Sequence, residues 1–460
     1  MEVSGTQLIL AFIIGLSFLI FLILKTKIHA FLALIVASVV IGLIAGLEPL
    51  RISSSITDGF GGTLSSIGII IGFGVIMGEI FLVSGAATQM ARTFLKICGK
   101  GKEEIALAIT GFIVSIPIFC DSAFVILSPI AKAISKSTKK SVVGLCFALA
   151  GGLVVTHSLV PPTPGPLSVA GLFGVDLGKF ILVTIIISIP IVVATTLYAT
   201  RVLGKQIYQI PSADGEGWER PESRPTEYGS LADIDAKGLP SAFLSFLPIV
   251  LPIILIIGNT VSSAVKLQGP VATILLFIGQ PIIAVGIGLV LCIYTLAWKI
   301  PRNEVLGKME NGIKSAGIIL LVTGAGGALG RVLTNTGIGA HIANQLANQP
   351  IPIIVLPFLI ATIMRFAQGS GTVAMQTSAS ICAPIVAAAG GNLMLGALAA
   401  CIGSLFCSHF NDSFFWVTNR LTGISDSKEM MKCWSVTTTI AWATGFVVLM
   451  ICHFLFSGIL

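Results

Sequence analysis

The sequence predicts an all-α polytopic membrane protein made of two inverted repeats, with about ten transmembrane helices plus two re-entrant hairpins. Three observations support this fold class: the composition, the placement of lysine and arginine, and a residue spacing that recurs in both halves. Of the 460 residues, 55% are hydrophobic and 10% are charged, and the mean hydropathy is +1.00. Soluble domains carry about 25% charged residues. The composition therefore excludes a soluble globular protein.

Ten apolar segments are long enough to cross a bilayer as helices, which takes roughly 17–25 residues. They lie near 7–24, 28–46, 67–90, 141–171, 179–200, 242–262, 270–298, 314–335, 393–418 and 434–457. The first has no basic stretch before it and no small-residue cleavage site after it. It is therefore predicted to be a retained helix and not a signal peptide.

Two further apolar stretches, 104–131 and 351–385, are predicted to be hairpins that enter and leave the membrane on one side. Lysines and arginines flank the first stretch at both ends, and such residues accumulate in cytoplasmic loops. With this assignment 22 basic residues face the cytoplasm, and only Arg51, Lys179 and Lys266 face the other side. We expect a multi-pass protein of the inner membrane with both termini outside the cytoplasm. Because the net charge of +7 lies in these loops, it does not indicate a nucleic-acid partner.

The chain divides at one long polar stretch. Residues 1–200 form the first membrane repeat, 201–240 a cytoplasmic linker, and 241–460 the second, inverted repeat. The linker carries prolines and seven acidic residues, a composition that favours a solvated tether over a partner-binding segment. The nine cysteines form no CxxC pair and lie mostly in apolar surroundings, which favours small buried hydrophobes over disulfides or metal ligands. No metal site and no cofactor are predicted.

The repeat appears as a constant offset of 252 residues. Glycines and other small residues recur at this offset, and His157 corresponds to His409. Each half has five crossings, and an odd number forces the second copy to enter the membrane in the opposite sense. Inverted repeats are typical of transporters whose binding site lies near the midplane. The Gly324–Gly330 run resembles a dinucleotide-binding turn, but its spacing recurs at Gly72–Gly78, which favours close helix packing instead.

Ionisable side chains within the apolar segments are costly, so each indicates a functional or pairing role. They are Glu79, Asp121, His157, Arg331, Arg365, His409 and Asp412. Glu79 and Arg331 stand at equivalent repeat positions. A structural pair across the repeat axis is favoured for them, with Glu79 as a proton site the alternative.

Four segments combine polar residues with helix breakers: 116–125, 157–166, 365–374 and 408–416. Four prolines between Pro161 and Pro166 must interrupt a helix in mid-membrane, and irregular backbone there is tolerated only when it is buried or lines a cavity. Helix starts at such breaks offer N–H groups and positive dipole ends to a carboxylate, and the side chains offer partners for hydroxyl groups. Each of these residues could instead have a purely structural role: the hydroxyl groups could bond the backbone of their own helix, and the glycines could permit tight turns.

The candidate substrate-binding residues are Asp121, Ser122, His157, Thr163, Gly165, Gly369, Ser370, Gly371, Thr372, His409, Asn411 and Asp412. Asp121 is the first candidate for a group whose protonation is coupled to binding, since a charged carboxylate in an apolar hairpin is unfavourable. Asp412 and Glu79 are the other candidates. An enzyme and an ATP-driven pump are disfavoured, because no paired metal ligands and no phosphate-binding loop are present. A channel is disfavoured because channel filters usually arise on the symmetry axes of oligomers, whereas the symmetry here is inverted within one chain.

The chain resembles the gluconate:proton symporter (GntP) family in Pro161–Pro166, in Gly369–Ala374 and in Ser408–Asp412 with Trp416. The resemblance implies uptake of gluconate or a related sugar acid with protons, and a homodimer whose hairpin-bearing domain moves against a static scaffold as an elevator. Some relatives carry glycerate or D-serine, so these are the alternative substrates. Sodium is the alternative coupling ion. Typical members have Glu, His and Ala where this chain has Asp121, Thr163 and Gly371.

Overall fold

A computed structural model of the chain describes residues 4–26, 28–212, 217–222, 238–264, 266–347, 352–409 and 412–456. Within these ranges the first half is helical and is followed by a two-stranded antiparallel ribbon. Its elements are α1 Gly5–Leu24, α2 Ala30–Ile44, α3 Pro49–Val83, α4 Ala86–Cys98, α5 Glu103–Val114, α6 Cys120–Thr138, α7 Val142–Leu159, α8 Pro164–Phe173, α9 Leu177–Leu197, a π-helical turn Tyr198–Leu203, α10 Gly204–Gln206, β1 Ile210–Pro211 and β2 Trp218–Glu219.

The second half is again helical. Its elements are α11 Ala242–Ala264, α12 Pro270–Ile278, α13 Pro281–Leu291, a π-helical turn Cys292–Leu296, α14 Arg302–Asn335, α15 Ile338–Ala347, α16 Val355–Gln368, α17 Gly371–Ala388, α18 Leu393–Gly403, α19 Ser413–Leu421, α20 Ser427–Met430, a π-helical turn Met431–Ser435 and α21 Val436–Phe456.

The fold is an all-α polytopic membrane fold, as the composition predicts. In the described residues, seven helices are long and apolar enough to cross a membrane, and two bent pairs raise the number to nine. The predicted crossing at 67–90 is wrong in its bounds: α3 begins at Pro49 and ends at Val83, because a polar helical stretch continues the apolar one. The predicted crossing at 393–418 is two helices, α18, which ends at Gly403, and α19, which begins at Ser413; in the described residues between them the chain is not helical.

The offset of 252 recurs in the secondary structure. The first residues of α3, α4, α5, α6 and α7, moved by 252, each fall within one residue of the first residues of α14, α15, α16, α17 and α18. Both predicted hairpins are helix–loop–helix pairs: α5 and α6 joined through 115–119, and α16 and α17 joined through Gly369 and Ser370. Their second helices run past the predicted ends, to Thr138 and Ala388.

Glycine brings several of these helices into close contact, as expected for packing in a bilayer. A Cβ on Gly59 of α3 would lie 2.4 Å from the carbonyl oxygen of Gly327 on α14. A Cβ on Gly152 of α7 would lie 2.1 Å from the carbonyl oxygen of Ala108 on α5. Both glycine runs lie wholly within helices, Gly72–Gly78 in α3 and Gly324–Gly330 in α14. Gly72 departs from the packing prediction, because nothing lies within 4 Å of its Cβ position.

The interpretation of the linker as a solvated tether is wrong for its described residues. Gln209 is only 1% exposed, donates to the carbonyl oxygen of Thr422 at 2.6 Å and accepts from Arg220 Nε at 2.8 Å. Arg220 also donates through both terminal nitrogens to Glu429, at 2.9 and 2.7 Å. Specific contacts that composition does not report therefore dock the part of the linker around Gln209 and Arg220 on the segment from α19 to α20.

Candidate functional site

The four polar segments converge on one cavity of about 380 Å³, within the range of about 300–1,000 Å³ typical of small-molecule sites. We call it the central cavity. Its lining residues are Phe119, Cys120, Asp121, Val154, His157, Ser158, Arg365, Gly369, Ser370, Gly371, Thr372, Ser404, Asp412, Ser413 and Phe414. Seven predicted site residues are among them: Asp121, His157, Gly369, Ser370, Gly371, Thr372 and Asp412.

The first hairpin brings the amino-terminal turn of α6 to the cavity. Helix α5 ends at Val114, and the following loop contains Pro117, whose ring removes a backbone donor and breaks the helix. Ser115 Oγ donates to the carbonyl oxygen of Ile118 at 3.2 Å and stabilises this loop. Helix α6 then starts at Cys120, so Asp121 lies in its first turn and faces the cavity.

The second hairpin turns within two residues. Gly369 ends α16 with φ of 88°, a left-handed conformation that glycine adopts without steric cost. Ser370 then caps α17, and its hydroxyl accepts from Val373 N at 3.4 Å. The start of α17, with Gly371 and Thr372, opens into the central cavity.

The predicted mid-membrane break after His157 is present. Helix α7 ends at Leu159, and α8 begins at Pro164 with proline in its first turn, where a missing N–H is tolerated. Thr163 is buried, and its hydroxyl donates to the carbonyl oxygen of Val160 at 2.5 Å. A Cβ on Gly165 would lie 2.8 Å from Met375 Sδ and 3.6 Å from Thr372 Cγ2. Thr163 and Gly165 therefore shape the break behind the cavity and do not line it.

The second break places Asp412 at the amino-terminal cap of α19. Asp412 Oδ1 accepts from Phe414 N at 3.2 Å. Asp412 Oδ2 accepts from Arg365 Nη2 at 2.7 Å and also from Ser408 Oγ. Trp434 Nε1 in turn donates to Ser408 Oγ at 2.8 Å. Asp412 is thus fixed from three directions, and the predicted site residue Asn411 lies outside the described residues.

Arg365 is the cationic group of the cavity. Its side chain is 5% exposed and forms an ion pair with Asp412, whose side chain is 11% exposed. Arg365 Nη1 donates to the carbonyl oxygen of Gly369, which fixes the turn of the second hairpin. Its Nε is buried without a hydrogen-bond partner. A buried charge of this kind is strongly unfavourable unless it is paired, so the pair with Asp412 stabilises it.

Asp121 is held much more loosely. Its Oδ1 accepts from Ser413 Oγ at 3.2 Å, and its Oδ2 lies 3.9 Å from Cys120 Sγ. Among the described residues, no ion pair includes Asp121, whereas Asp412 pairs with Arg365. The two carboxylates of the cavity therefore differ, one neutralised by a cation and the other not.

The two histidines at equivalent repeat positions have different surroundings. His157 lines the central cavity, and its Nδ1 is buried without a hydrogen-bond partner. His409 Nε2 lies 3.0 Å from the carbonyl oxygen of Phe366, and its ring packs on the Phe366 ring with centroids 4.9 Å apart. His409 does not line the cavity, because Phe366 holds it at the edge of the second hairpin.

Two further candidates lie away from the central cavity. Ser122 is adjacent to Asp121 but is not among the lining residues, since neighbouring positions of a helix face different directions. Glu79 also lies outside the lining. The favoured pair between Glu79 and Arg331 is absent from the ion pairs of the described chain, and Arg331 instead lines a second cavity with Asp58.

Eight lining residues were not predicted, among them the cationic Arg365 and the hydroxyl-bearing Ser158, Ser404 and Ser413. The signal for Arg365 was present, because it is one of two arginines in the apolar segments and basic residues there are rare. The signal for the serines was weak, since most hydroxyls in membrane helices bond their own backbone. In the described ranges, His, Cys, Asp and Glu side chains form no group of three that could hold a metal ion.

The arrangement suits a small anion that also carries hydroxyl groups. The amino-terminal turns of α6, α17 and α19 and the Arg365 guanidinium favour negative charge at the cavity. Asp121 and Asp412 can accept hydrogen bonds, and Thr372, Ser404 and Ser413 can donate or accept them.

Comparison with known proteins identifies the family. The model of the GntP family permeases matches residues 7–455. An uncharacterized permease of Haemophilus influenzae is 49% identical over 98% of this chain and 93% of its own length. The inner membrane permease YgbN of Escherichia coli is 34% identical over 94% and 96%, and a gluconate permease of Pseudomonas aeruginosa is 32% identical over 94% and 94%.

Two solved structures share the fold. The Neisseria gonorrhoeae antimetabolite efflux pump MtrF has a TM-score of 0.67 at 12% identity, covering 95% of this chain and 97% of its own. The Alcanivorax borkumensis YdaH transporter has a TM-score of 0.66 at 14% identity, covering 93% and 98%. At these identities the likeness concerns the fold alone. The family match, by contrast, spans nearly the whole chain, and the protein belongs to the GntP family of permeases and is a membrane transporter, not an enzyme.

Proposed function

We propose that this permease is a secondary active transporter that carries gluconate, or a closely related small hydroxy-carboxylate, into the cell together with protons. The observation that carries the proposal is the charge arrangement of the central cavity. A buried arginine and three helix amino termini face the same space as two carboxylates and several hydroxyl groups. The gluconate permease of Pseudomonas aeruginosa, 32% identical, supports the same substrate class.

In this mechanism the substrate carboxylate binds near Arg365 and the start of α17. Its hydroxyl groups contact Asp121, Thr372 and Ser413. Both the guanidinium and the helix amino terminus interact best with an anion, whereas the carboxylate of Asp121 accepts hydrogen bonds from hydroxyls. A molecule with one carboxylate end and a hydroxylated chain satisfies both ends of the cavity.

Asp121 is the proposed proton carrier. It faces the cavity without a cationic partner among the described residues, so the arrival of an anionic substrate beside it is electrostatically unfavourable unless it takes up a proton. Asp412 is the second candidate, and in the structure it forms an ion pair with Arg365. Glu79 is the third and lies outside the cavity lining.

The proposal includes a homodimer in the inner membrane and movement of the hairpin-bearing helices against a scaffold, as the family resemblance implies. The inner membrane permease YgbN supports the location. Glycerate or D-serine as substrate, and sodium as coupling ion, are the alternatives within the same class.

The test is uptake of labelled gluconate into proteoliposomes under an inward proton gradient, an inward sodium gradient or neither. We expect accumulation with the proton gradient only. Asp121→Asn should abolish this accumulation but keep exchange of labelled for unlabelled gluconate, because the amide resembles the protonated carboxyl group. Glu48→Gln, the same chemical change at an exposed position, is the matched control.

Three outcomes would change the proposal. Proton-driven accumulation that persists in Asp121→Asn and is lost in Asp412→Asn or Glu79→Gln would move the proton to that residue. Accumulation driven by sodium would replace the coupling ion. Transport of glycerate or D-serine without gluconate would replace the substrate, and no transport of any of them would contradict the function.

A further inference from the structure

A second cavity, of about 490 Å³, lies between helices α3 and α14 on one side and α8 and α17 on the other. It shares no lining residue with the central cavity. We call it the outer cavity, because the Lys and Arg distribution assigns the start of α3 and the end of α14 to the side away from the cytoplasm.

The outer cavity carries the same chemical groups as the central one. Arg331 and Asp58 both line it, and no ion pair joins them in the part of the chain that the structure describes. Thr63, Thr334 and Ser380 add hydroxyl groups. An arginine, a carboxylate and several hydroxyls again match a molecule with a carboxylate at one end and hydroxyls along the chain.

One face of α17 connects the two cavities. Thr372, Gln376 and Ser380 are spaced four residues apart, so they lie in a row along the helix. Thr372 lines the central cavity and Ser380 lines the outer one. Gln376 lies between them and is 1% exposed.

Gln376, the middle residue of this row, forms hydrogen bonds to two other helices. Its Nε2 donates to Ser168 Oγ on α8 at 2.8 Å and to Thr323 Oγ1 on α14 at 2.7 Å. Its Oε1 is buried without a hydrogen-bond partner, which is unfavourable and leaves an acceptor available to a passing hydroxyl group. Gln376 thus joins α17 to α8 and α14 at a level between the residues that line the two cavities.

We propose that the outer cavity is a second binding station for the anionic substrate on its way from outside, and that Gln376 with Ser168 and Thr323 forms the barrier between the two stations. The identity of the ligand as a hydroxy acid rests on the proposed function. The position of the station and its preference for anions are independent of the proposed function.

Thiol accessibility tests the station without any transported substrate. Ala383 lines the outer cavity and is 7% exposed, so Ala383→Cys places a small reporter inside it. In intact cells we expect it to react with membrane-impermeant methanethiosulfonates, the anionic sulfonatoethyl and the cationic trimethylammonium reagent. Arg331→Gln in this background should lower the ratio of anionic to cationic rates by about tenfold, and Asp58→Asn should raise it, because charges in a cleft set the local concentration of ions.

The matched control is Ile385→Cys, two residues along α17, which is fully buried and outside the cavity lining. It should stay unreactive, as should the unsubstituted chain with its nine cysteines. Thr334→Cys, an exposed position that lines the cavity, serves as a second reporter if Ala383→Cys folds poorly. Equal reactivity of Ala383→Cys and Ile385→Cys, reaction only from the cytoplasmic side, or a rate ratio indifferent to Arg331→Gln would overturn the station.

The barrier is tested by whether the methanethiosulfonate reagents, added from outside, reach the central cavity. In Gln376→Ala, Thr372→Cys in the central cavity should become reactive from outside at least about tenfold faster than with Gln376 intact, since the bonds to Ser168 and Thr323 are lost. An unchanged rate would contradict the barrier. Protection of Ala383→Cys by gluconate is the separate test of the ligand. Charge selectivity without protection would retain the station and reject gluconate.

Discussion

At the scale of single residues, Arg365 links the two chemical elements of the central cavity. It pairs with Asp412 at the cap of α19 and donates to the carbonyl oxygen of Gly369 at the turn of the second hairpin. A change at Arg365 therefore affects the charge of the cavity and the position of the α17 amino terminus together. Lysine retains the charge but has no fork of donors with which to serve both acceptors.

We expect Arg365→Lys to lower the ratio of maximal uptake rate to KM by at least about tenfold, the equivalent of one charge-assisted hydrogen bond of roughly 1.5 kcal/mol. Labelled-substrate uptake in proteoliposomes measures it. The control is Arg420→Lys, the same exchange at an exposed arginine over the Trp416 ring. Equal loss in both variants would mean that Arg365 has no special role.

The carboxylates of the site were predictable from sequence and their partners were not. Asp121 and Asp412 stand out because a charge in an apolar segment is rare and costly. Arg365 stands out by the same criterion, but the residue that neutralises it lies 47 positions away, and a distance of that kind depends on the tertiary fold. For the same reason the difference between His157 and His409, equivalent in the repeat, was not visible in the sequence.

At the scale of elements, two glycines of α3 make a matched pair. A Cβ on Gly78 would lie 2.4 Å from the carbonyl oxygen of Pro117, in the loop that leads to Asp121, whereas nothing lies within 4 Å of a Cβ on Gly72. The sequence pattern gave both glycines the same packing role. Only the three-dimensional neighbours separate them.

Gly78→Ala should therefore displace the loop of the first hairpin, with an overpacking cost of about 1–3 kcal/mol and a loss of uptake. Gly72→Ala should leave both properties unchanged or raise stability slightly, because alanine favours helix by about 1 kcal/mol. Thermal unfolding in detergent and uptake assays measure the two effects. Equal tolerance of both substitutions would contradict the contact between α3 and the loop.

The docked linker is a second feature of this scale. We expect Gln209→Ala to lower the unfolding free energy by about 2 kcal/mol, since it leaves a buried carbonyl group without its donor. Arg220→Ala should cost about 1 kcal/mol or less, because its side chain is 48% exposed. The midpoint temperatures of thermal unfolding of the two variants measure these losses, with Lys96→Ala at an exposed position as the control. If Gln209→Ala matches that control, the linker is not docked in solution.

At the scale of the whole molecule, the fold class follows from the composition. The offset of 252 relates the first residues of α3 to α7 to the first residues of α14 to α18. Hydropathy and the offset of 252 are properties of the chain alone, so they predict helices without knowledge of contacts. What they cannot predict is how α3 and α14 cross and which cavities remain beside them, because those depend on side chains that meet from distant positions.

The orientation of the chain in the membrane stays a prediction of the Lys and Arg distribution. We expect alkaline phosphatase, which is active only outside the cytoplasm, to be active when fused after Leu460 and inactive when fused after Gln206. A green fluorescent protein fused at the same two positions should give the opposite pattern. Reversed signals would contradict the assignment of the carboxyl terminus to the outside, and activity at both positions would contradict the assignment of the linker to the cytoplasm.

The charges of the central cavity break the symmetry of the repeat. At the offset of 252, Asp121 corresponds to Val373, Arg365 to Ile113, and Asp412 to Val160. The two copies thus have similar helix positions, but their charged residues differ. Asp121 occurs only in the first copy, Arg365 and Asp412 occur only in the second, and each has an apolar counterpart in the other copy. A duplicated chain with identical halves would hold a ligand equally well in two opposite directions. This chain instead presents different charges to the two ends of a ligand, an asymmetry that the repeat by itself does not supply.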